Sequence, residues 1–228
     1  MKRWFFTLSI FLFLNSPSAI AQNQNDQPKT ASFFEQVDRF GEYEVLRTLD
    51  PNSYKGSPYY NRSFVVGEVF IDKKLIETNA ALRYNALTDE IEYKETLHND
   101  QEQSKALLKA ENLSAIINKD YFIFIKDKGY FLVLFEGNKL SLLKKISKKY
   151  CPPKKATTSL TKDFPAEFKN RFHYYLKDEI GELTLIPTSK RESFFNENEK
   201  LKEFIKGQKL DLNNSSNLVK LVTYYDSL

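Results

Sequence analysis

The residues able to do chemistry in this chain are few and far apart. His98 and His173 are its two histidines, and their separation gives neither paired imidazole metal ligands nor the two-histidine spacing of a zinc protease helix. Cys151 is the one cysteine. A thiol becomes a nucleophile beside a base, and His173 is the base a fold would have to bring to it. In the strand-like run Phe172-His173-Tyr174 the imidazole takes the side opposite the two rings, toward solvent, so an inert, partly buried thiol is expected. Asp89, Glu90 and Glu92 form a carboxylate group of the kind that flanks a sugar bond as acid and base. Thr88-Asp89-Glu90 is turn chemistry, however, and Glu92 between Ile91 and Tyr93 has the spacing of a solvent-facing strand residue. The chain contains no GxSxG elbow, Walker loop or GxGxxG run, the commonest hydrolase and nucleotide signatures. No enzyme activity, cofactor or metal is therefore expected.

Residues suited to binding are denser. Lys144, Lys145, Lys148, Lys149, Lys154 and Lys155 form the strongest charge cluster, interrupted by Tyr150 and Pro152-Pro153. Such a patch suits an anionic glycan, a lipid headgroup or an acidic protein. The architectural alternative is an edge strand that lysines keep from pairing with another chain, followed by a loop broken by two prolines. That alternative asks for no ligand and is the preferred one. Tyr59-Tyr60 in a Gly/Ser/Pro turn and Tyr174-Tyr175 on a strand offer rings for stacking on sugars or peptides. Adjacent strand residues face opposite ways, so one of Tyr174 and Tyr175 belongs to the core. The candidate binding surface is accordingly Lys144, Lys145, Lys148, Lys149, Tyr59 and Tyr60. Asn61-Arg62-Ser63 and Asn112-Leu113-Ser114 match N-glycosylation acceptors, a pattern that matters in a host with that machinery.

The elements that must position these residues read mainly as strands. Ile76, Thr78, Ala80, Leu82 and Tyr84 fall on alternate positions and share one strand face, with Glu77, Asn79 and Arg83 on the other. Phe64 to Ile71 precedes this strand through the Asp72-Lys73-Lys74 turn, and Ile91 to Glu95 follows through Thr88-Asp89, which makes an antiparallel meander. A second meander runs from Tyr121 to Ile125, Tyr130 to Phe135 and Leu140 to about Ile146, with Gly129 and Gly137 in its turns. Tyr130 to Phe135 is apolar on both faces, as in a covered central strand, whereas Leu140 to Ile146 alternates like an edge or half-exposed one. A hairpin from Phe172 to Leu176 and Leu183 to Ile186 turns around Asp178 to Gly181. The period then changes. Ser189 with Glu192 and Asn196 with Glu199 make capping boxes, and Leu201, Phe204 and Ile205 a helical face ended by Gly207. Leu218, Leu221, Val222 and Tyr225 make a last helix, capped within Asn214 to Ser216. Phe33, Phe34, Val37 and Phe40 offer one further helical face before Gly41. The predicted fold is β-rich α+β, an antiparallel meander sheet shaped as a curved sheet or half-barrel, with C-terminal helices packed on it.

The N-terminus bears on location. Lys2 and Arg3, the apolar run Trp4 to Leu14 and the small residues Ala19-Ile20-Ala21 read as a secretory signal peptide over 1–21. The apolar run is about half of the roughly twenty residues that span a bilayer, and no second one follows. The polar stretch 22–32 reads as a flexible leader, and 33–228 as a single domain with a helical segment over about 188–228. The formal net charge of +4 includes Lys2 and Arg3 and so halves on cleavage, too near neutrality to imply nucleic acid as partner.

Gly56-Ser57-Pro58-Tyr59, Leu82-Arg83-Tyr84-Asn85 with Asp89-Glu90-Ile91-Glu92, and the ending Asn217-Leu218-Val219-Lys220-Leu221-Val222 with Tyr224-Tyr225 resemble a group of uncharacterised secreted proteins of Bacteroidota. The resemblance implies an envelope location and a sheet with terminal helices, and it supplies no catalytic residue. The expected role is a periplasmic or extracellular binding or structural module contacting a protein or surface polymer. A carrier of an apolar ligand is the alternative, and a hydrolase of an envelope polymer a third.

Overall fold

The computed structural model describes residues 53–98, 103–156 and 162–228, together with the strand Phe34–Glu35. The segments expected to be a signal peptide (1–21) and a leader (22–32), and most of the helical face expected before Gly41, lie outside the described residues. Phe34–Glu35, placed in that face, is extended instead and pairs with Leu107 and Ala106.

Among the described residues, twelve strands form one sheet. They are β1 (Phe34–Glu35), β2 (Tyr54–Lys55), β3 (Val65–Ile71), β4 (Lys74–Asn85), β5 (Glu90–Lys94), β6 (Lys105–Leu107), β7 (Leu113–Ile117), β8 (Asp120–Ile125), β9 (Gly129–Glu136), β10 (Leu140–Cys151), β11 (Ala166–Asp178) and β12 (Leu183–Ile186). The helices α1 (Arg191–Phe195), α2 (Glu199–Gln208) and α3 (Ser215–Asp226) follow. The strands lie in the order β1-β6-β5-β4-β3-β7-β8-β9-β10-β11-β12. Their pairings are antiparallel except for β2, which runs parallel beside the start of β11. The β-rich α+β fold read from the sequence, with both meanders, the third hairpin and the terminal helices, is the fold observed.

Two cores divide the sheet. The first gathers Val69, Leu82, Tyr84, Ile91, Leu113, Ile117, Phe122, Tyr130, Leu132 and Ile146 from β3 to β10. The second sets Leu142, Tyr174, Leu176 and Ile186 against Phe195, Leu201, Ile205, Leu218, Leu221 and Val222 of the helices. Leu134 of β9 packs against both. The sheet is open but curls until β10 meets the β4–β5 turn, where the Lys148 amide donates to the Ala86 carbonyl at 2.9 Å. Gly67 permits this tight curl, since a Cβ there would collide with the Ile116 carbonyl and the Leu82 side chain.

Several expectations change in detail. The alternation along β4 breaks at Thr78 and Asn79, both exposed. The register with β3 slips there and Asn79 takes a φ of +60°, which is a bulge and re-aims the strand. β10 lies between β9 and β11 only as far as Lys144, so its first half is not an edge. From Lys145 to Cys151 β11 is its one paired strand among the described residues, and Lys145, Lys148 and Lys149 stand on that one-sided stretch, where lysines discourage pairing with another chain. In α1 the N-cap is Lys190, in a left-handed conformation and without a side-chain bond, rather than Ser189. Asn198, not Asn196, caps α2 by accepting from the Lys200 and Leu201 amides. That helix runs past Gly207 to Gln208 and ends on left-handed Lys209. Asn214 caps α3 as expected.

Candidate binding surfaces

The carboxylates that sequence spacing offered for catalysis are committed to holding strands together. Asp89 sits in the β4–β5 turn with a φ of +58°, a conformation Asp tolerates better than most residues. It accepts from the Tyr84 hydroxyl at 2.8 Å, the Tyr130 amide at 3.2 Å and the Lys145 ammonium at 2.7 Å. Lys145 also donates to the carbonyls of Lys128 and Tyr130 and lies over the Phe131 ring. Burial pushes the Tyr84 hydroxyl well above the ordinary tyrosine value, and the Asp89 charge adds to the shift. Burial lowers the Lys145 ammonium, with Asp89 partly offsetting it. Gly129 leaves room for this joint at a φ of +85°, since any Cβ there would strike the Asp89 carboxylate and Lys145.

Glu92 corrects the sequence reading more sharply. It is fully buried, not solvent-facing, and stands opposite Arg83 across the β4–β5 pair. The Arg83 Nε and Nη2 both donate to Glu92 Oε2, at 3.1 and 2.5 Å, and Asn85 donates to its Oε1 at 3.1 Å. The guanidinium stacks over Tyr59 at 3.5 Å and over Phe64 at 4.2 Å. An aromatic lid thus covers a strand face that a polar alternation marked as wet. Glu90 accepts from Thr88 within its own turn.

The six residues nominated for binding separate accordingly. Lys145 is spent on Asp89, and Tyr59 on Arg83. Lys144, Lys148 and Tyr60 each have a different partner. Tyr60 donates to Asp120 at 3.0 Å, and its hydroxyl is pushed up to about 12 by burial and the Asp120 charge. Asp120 also supports the charge of Lys144, which burial lowers. Lys144 lies 4.1 Å over Phe172, which is 37% exposed. Lys148 bonds Asn170 on β11, and burial lowers its ammonium too. Lys149 points to the other side of the ribbon, opposite Lys169. Lys154 pairs its backbone with Phe164.

Cys151 stands opposite Glu167 and His173 opposite Lys145. At ~3.3 Å per strand residue the two lie roughly 20 Å apart along the ribbon, so they form no dyad. His98 is exposed. Tyr174 is buried and Tyr175 half-buried, its ring edge-on to Phe131 at 5.4 Å. No group of three His, Cys, Asp or Glu that could hold a metal ion occurs among the described residues. No described helix is long and apolar enough to cross a membrane.

The feature that residue spacing did not reveal is a groove of about 570 Å³ across the sheet face opposite the first core. Its floor is Ile123, Val133 and Leu143 from three neighbouring strands, and Ile180 of the β11–β12 turn stands beside it, 82% exposed. Charged and polar groups rim it: Lys73 with Glu136 at 3.6 Å, Lys177, Ser141, and Tyr121 donating to Ser114. The alternation along β8 and β9 carried half of this signal, since an apolar outer face on adjacent strands is a floor awaiting cover. Compared with family models, curated proteins and solved structures, the chain matches none.

Proposed function

We propose that the chain is an exported, non-enzymatic binding module of the cell envelope, and that the groove over Ile123, Val133 and Leu143 engages a surface polymer or a protein segment. The groove carries this reading: an aliphatic floor with a charged rim, on a sheet face that the helices leave uncovered, is how specific binding clefts are built. The structural commitment of Asp89, Glu92, Arg83 and Lys145 supports it, because those groups already have the partners a substrate would have to displace. The basic-apolar-small pattern over residues 1–21 and the resemblance to secreted proteins of Bacteroidota support export. The secreted protein would begin at Gln22, which mass spectrometry of the exported chain checks.

The binding test is co-sedimentation with isolated bacterial envelope. The wild type sediments, whereas Val133→Lys combined with Ile180→Glu weakens the affinity about tenfold, as loss of a contact of about 1.4 kcal/mol would. Equal sedimentation of the two proteins, or a turnover on an envelope polymer abolished by one substitution, contradicts the proposal. Unchanged circular dichroism and melting of the variant keep misfolding out of the comparison.

A further inference from the structure

β11 is longer than its neighbours on one side. β10 pairs with it from Glu167 to Asp178, but the other edge is taken by β2 only at Ala166 and Glu167 and by β12 only from Tyr174 to Lys177. From Phe168 to His173 no described strand lies on that edge. Lys169 to Phe172 are exposed.

Three contacts establish which backbone groups face the gap. The Phe168 carbonyl lies against Gly56, whose φ of +83° turns the chain away from β11 at that point. At the far end the Asp178 amide donates to the Glu182 carbonyl at 3.1 Å, on the β12 side. In an antiparallel strand the N–H and C=O of every second residue share a side, so Asn170 and Phe172 turn theirs outward. Lys148 agrees: it stands opposite Asn170, and its own amide points away from β11 to Ala86. Among the described residues, Asn170 and Phe172 therefore present unpaired donors and acceptors at strand spacing, between two segments that already show how a strand sits there.

The side chains around the gap carry one sign of charge. Lys169 and Arg171 lie on one face, with Lys149 opposite Lys169; on the other face Lys144 and Lys148 flank the exposed Phe172. Two acids stand beside this patch: Glu167, 3.5 Å from Lys169, and Asp120, which bears on Lys144, so the cations Lys144, Lys148, Lys149, Lys169 and Arg171 outnumber them. Cationic residues along an edge discourage indiscriminate pairing. They repel the same edge of a second copy, since like charges directly opposite are destabilising, and they attract a strand with carboxylates.

We propose that this edge receives an extended acidic segment of a partner protein as an added strand, with carboxylates on the face of Lys169 and Arg171 and apolar residues over Phe172. Strand addition supplies affinity through the backbone and selectivity through alternate side chains. The inference rests on the reading of the chain as a binding module, but it uses a surface apart from the groove.

The test titrates the isotope-labelled chain with a synthetic peptide alternating glutamate and valine. A peptide of the same composition in two blocks and poly-glutamate serve as controls. The alternating peptide binds saturably and slows exchange of the Asn170 and Phe172 amides, while the Lys169 and Arg171 amides, turned toward β10, keep their rates. Lys169→Glu with Arg171→Glu weakens binding about tenfold, a modest charge effect, without changing the melt. Val133→Lys, in the groove, leaves peptide binding unchanged, so failure of the groove reading and failure at this edge are told apart. Equal binding by poly-glutamate or the block peptide, protection elsewhere, absence of binding at millimolar peptide, or dimerisation through this edge would overturn the proposal.

Discussion

Asp89 and Asp226 are both carboxylates that hold backbone distant in sequence, Asp89 within the first core and Asp226 between the last helix and the β9–β10 turn, and they do so with different partners. Asp89 joins the β4–β5 turn to β9 and β10 through a phenol, an amide and the Lys145 ammonium. Asp226, at the end of α3, accepts from the amides of Asn138, Lys139 and Leu140 at 3.1, 2.7 and 2.7 Å. These amide bonds, that of Leu140 foremost, hold its carboxyl below the usual carboxylate range. The first core is therefore closed by half-buried charges that depend on one another. The second is closed by a half-exposed carboxylate on backbone, over helices whose Leu218, Leu221 and Val222 are fully buried. Charge pairing in the first case and apolar burial in the second should respond differently to mutation and to pH.

The largest effect belongs to the first core. Arg83→Ala strands Glu92 fully buried without its cation, and loss of one partner of a buried pair costs about 4 kcal/mol; urea unfolding measures it. Asp89→Asn costs about 2 kcal/mol by the same reasoning, less because both Asp89 and Lys145 keep some contact with water. Asp226→Asn should cost least, since the amide oxygen still accepts from the β9–β10 turn. Its mark is a local increase in amide exchange at Asn138 to Leu140 with the first core untouched.

The two cores should also fail at opposite ends of the pH scale. The folded-state pKa of Asp226 is lowered, so its contribution to stability is present above the ordinary carboxylate value of 3.8 and is lost as pH falls through the depressed value. Tyr84 in the first core and Tyr60 at its margin are both raised from an ordinary 10.0, Tyr60 to about 12 and Tyr84 further. A group that holds its proton more tightly when folded leaves stability flat below its unfolded value and erodes it as pH rises beyond. Acid should thus loosen the α3 contact first, and alkali the Tyr84–Asp89 joint. Amide exchange followed at both ends of the scale separates them, and simultaneous loss of both regions would show that the cores are not distinct.

Local patterning carried most of the architecture. Turn residues such as Asp127-Lys128-Gly129 and Asn214 at the start of α3 act within a few positions of themselves, so their effect was readable along the chain. The long-range polar contacts were not. Arg83 and Glu92 were both assigned to a wet strand face, because alternation reports which residues share a side but not what later covers it. Counting the register across the Thr88-Asp89 turn would have set them opposite each other. Asp226 binds a turn nearly ninety positions earlier in the chain, a contact for which no periodicity exists. The lysine cluster was legible as charge, yet its division among Asp89, Asp120 and Asn170 depends on the pairing of β10 with β11. The groove needs three strands side by side before its floor exists.

That the chemistry-bearing side chains of this chain are spent on closing the fold is tested most directly by a double-mutant cycle on Asp89→Asn and Lys145→Met, read by urea unfolding. The account predicts a coupling energy above about 1 kcal/mol, as for residues sharing one buried network. A coupling indistinguishable from zero, with each single variant as stable as the wild type, would contradict it.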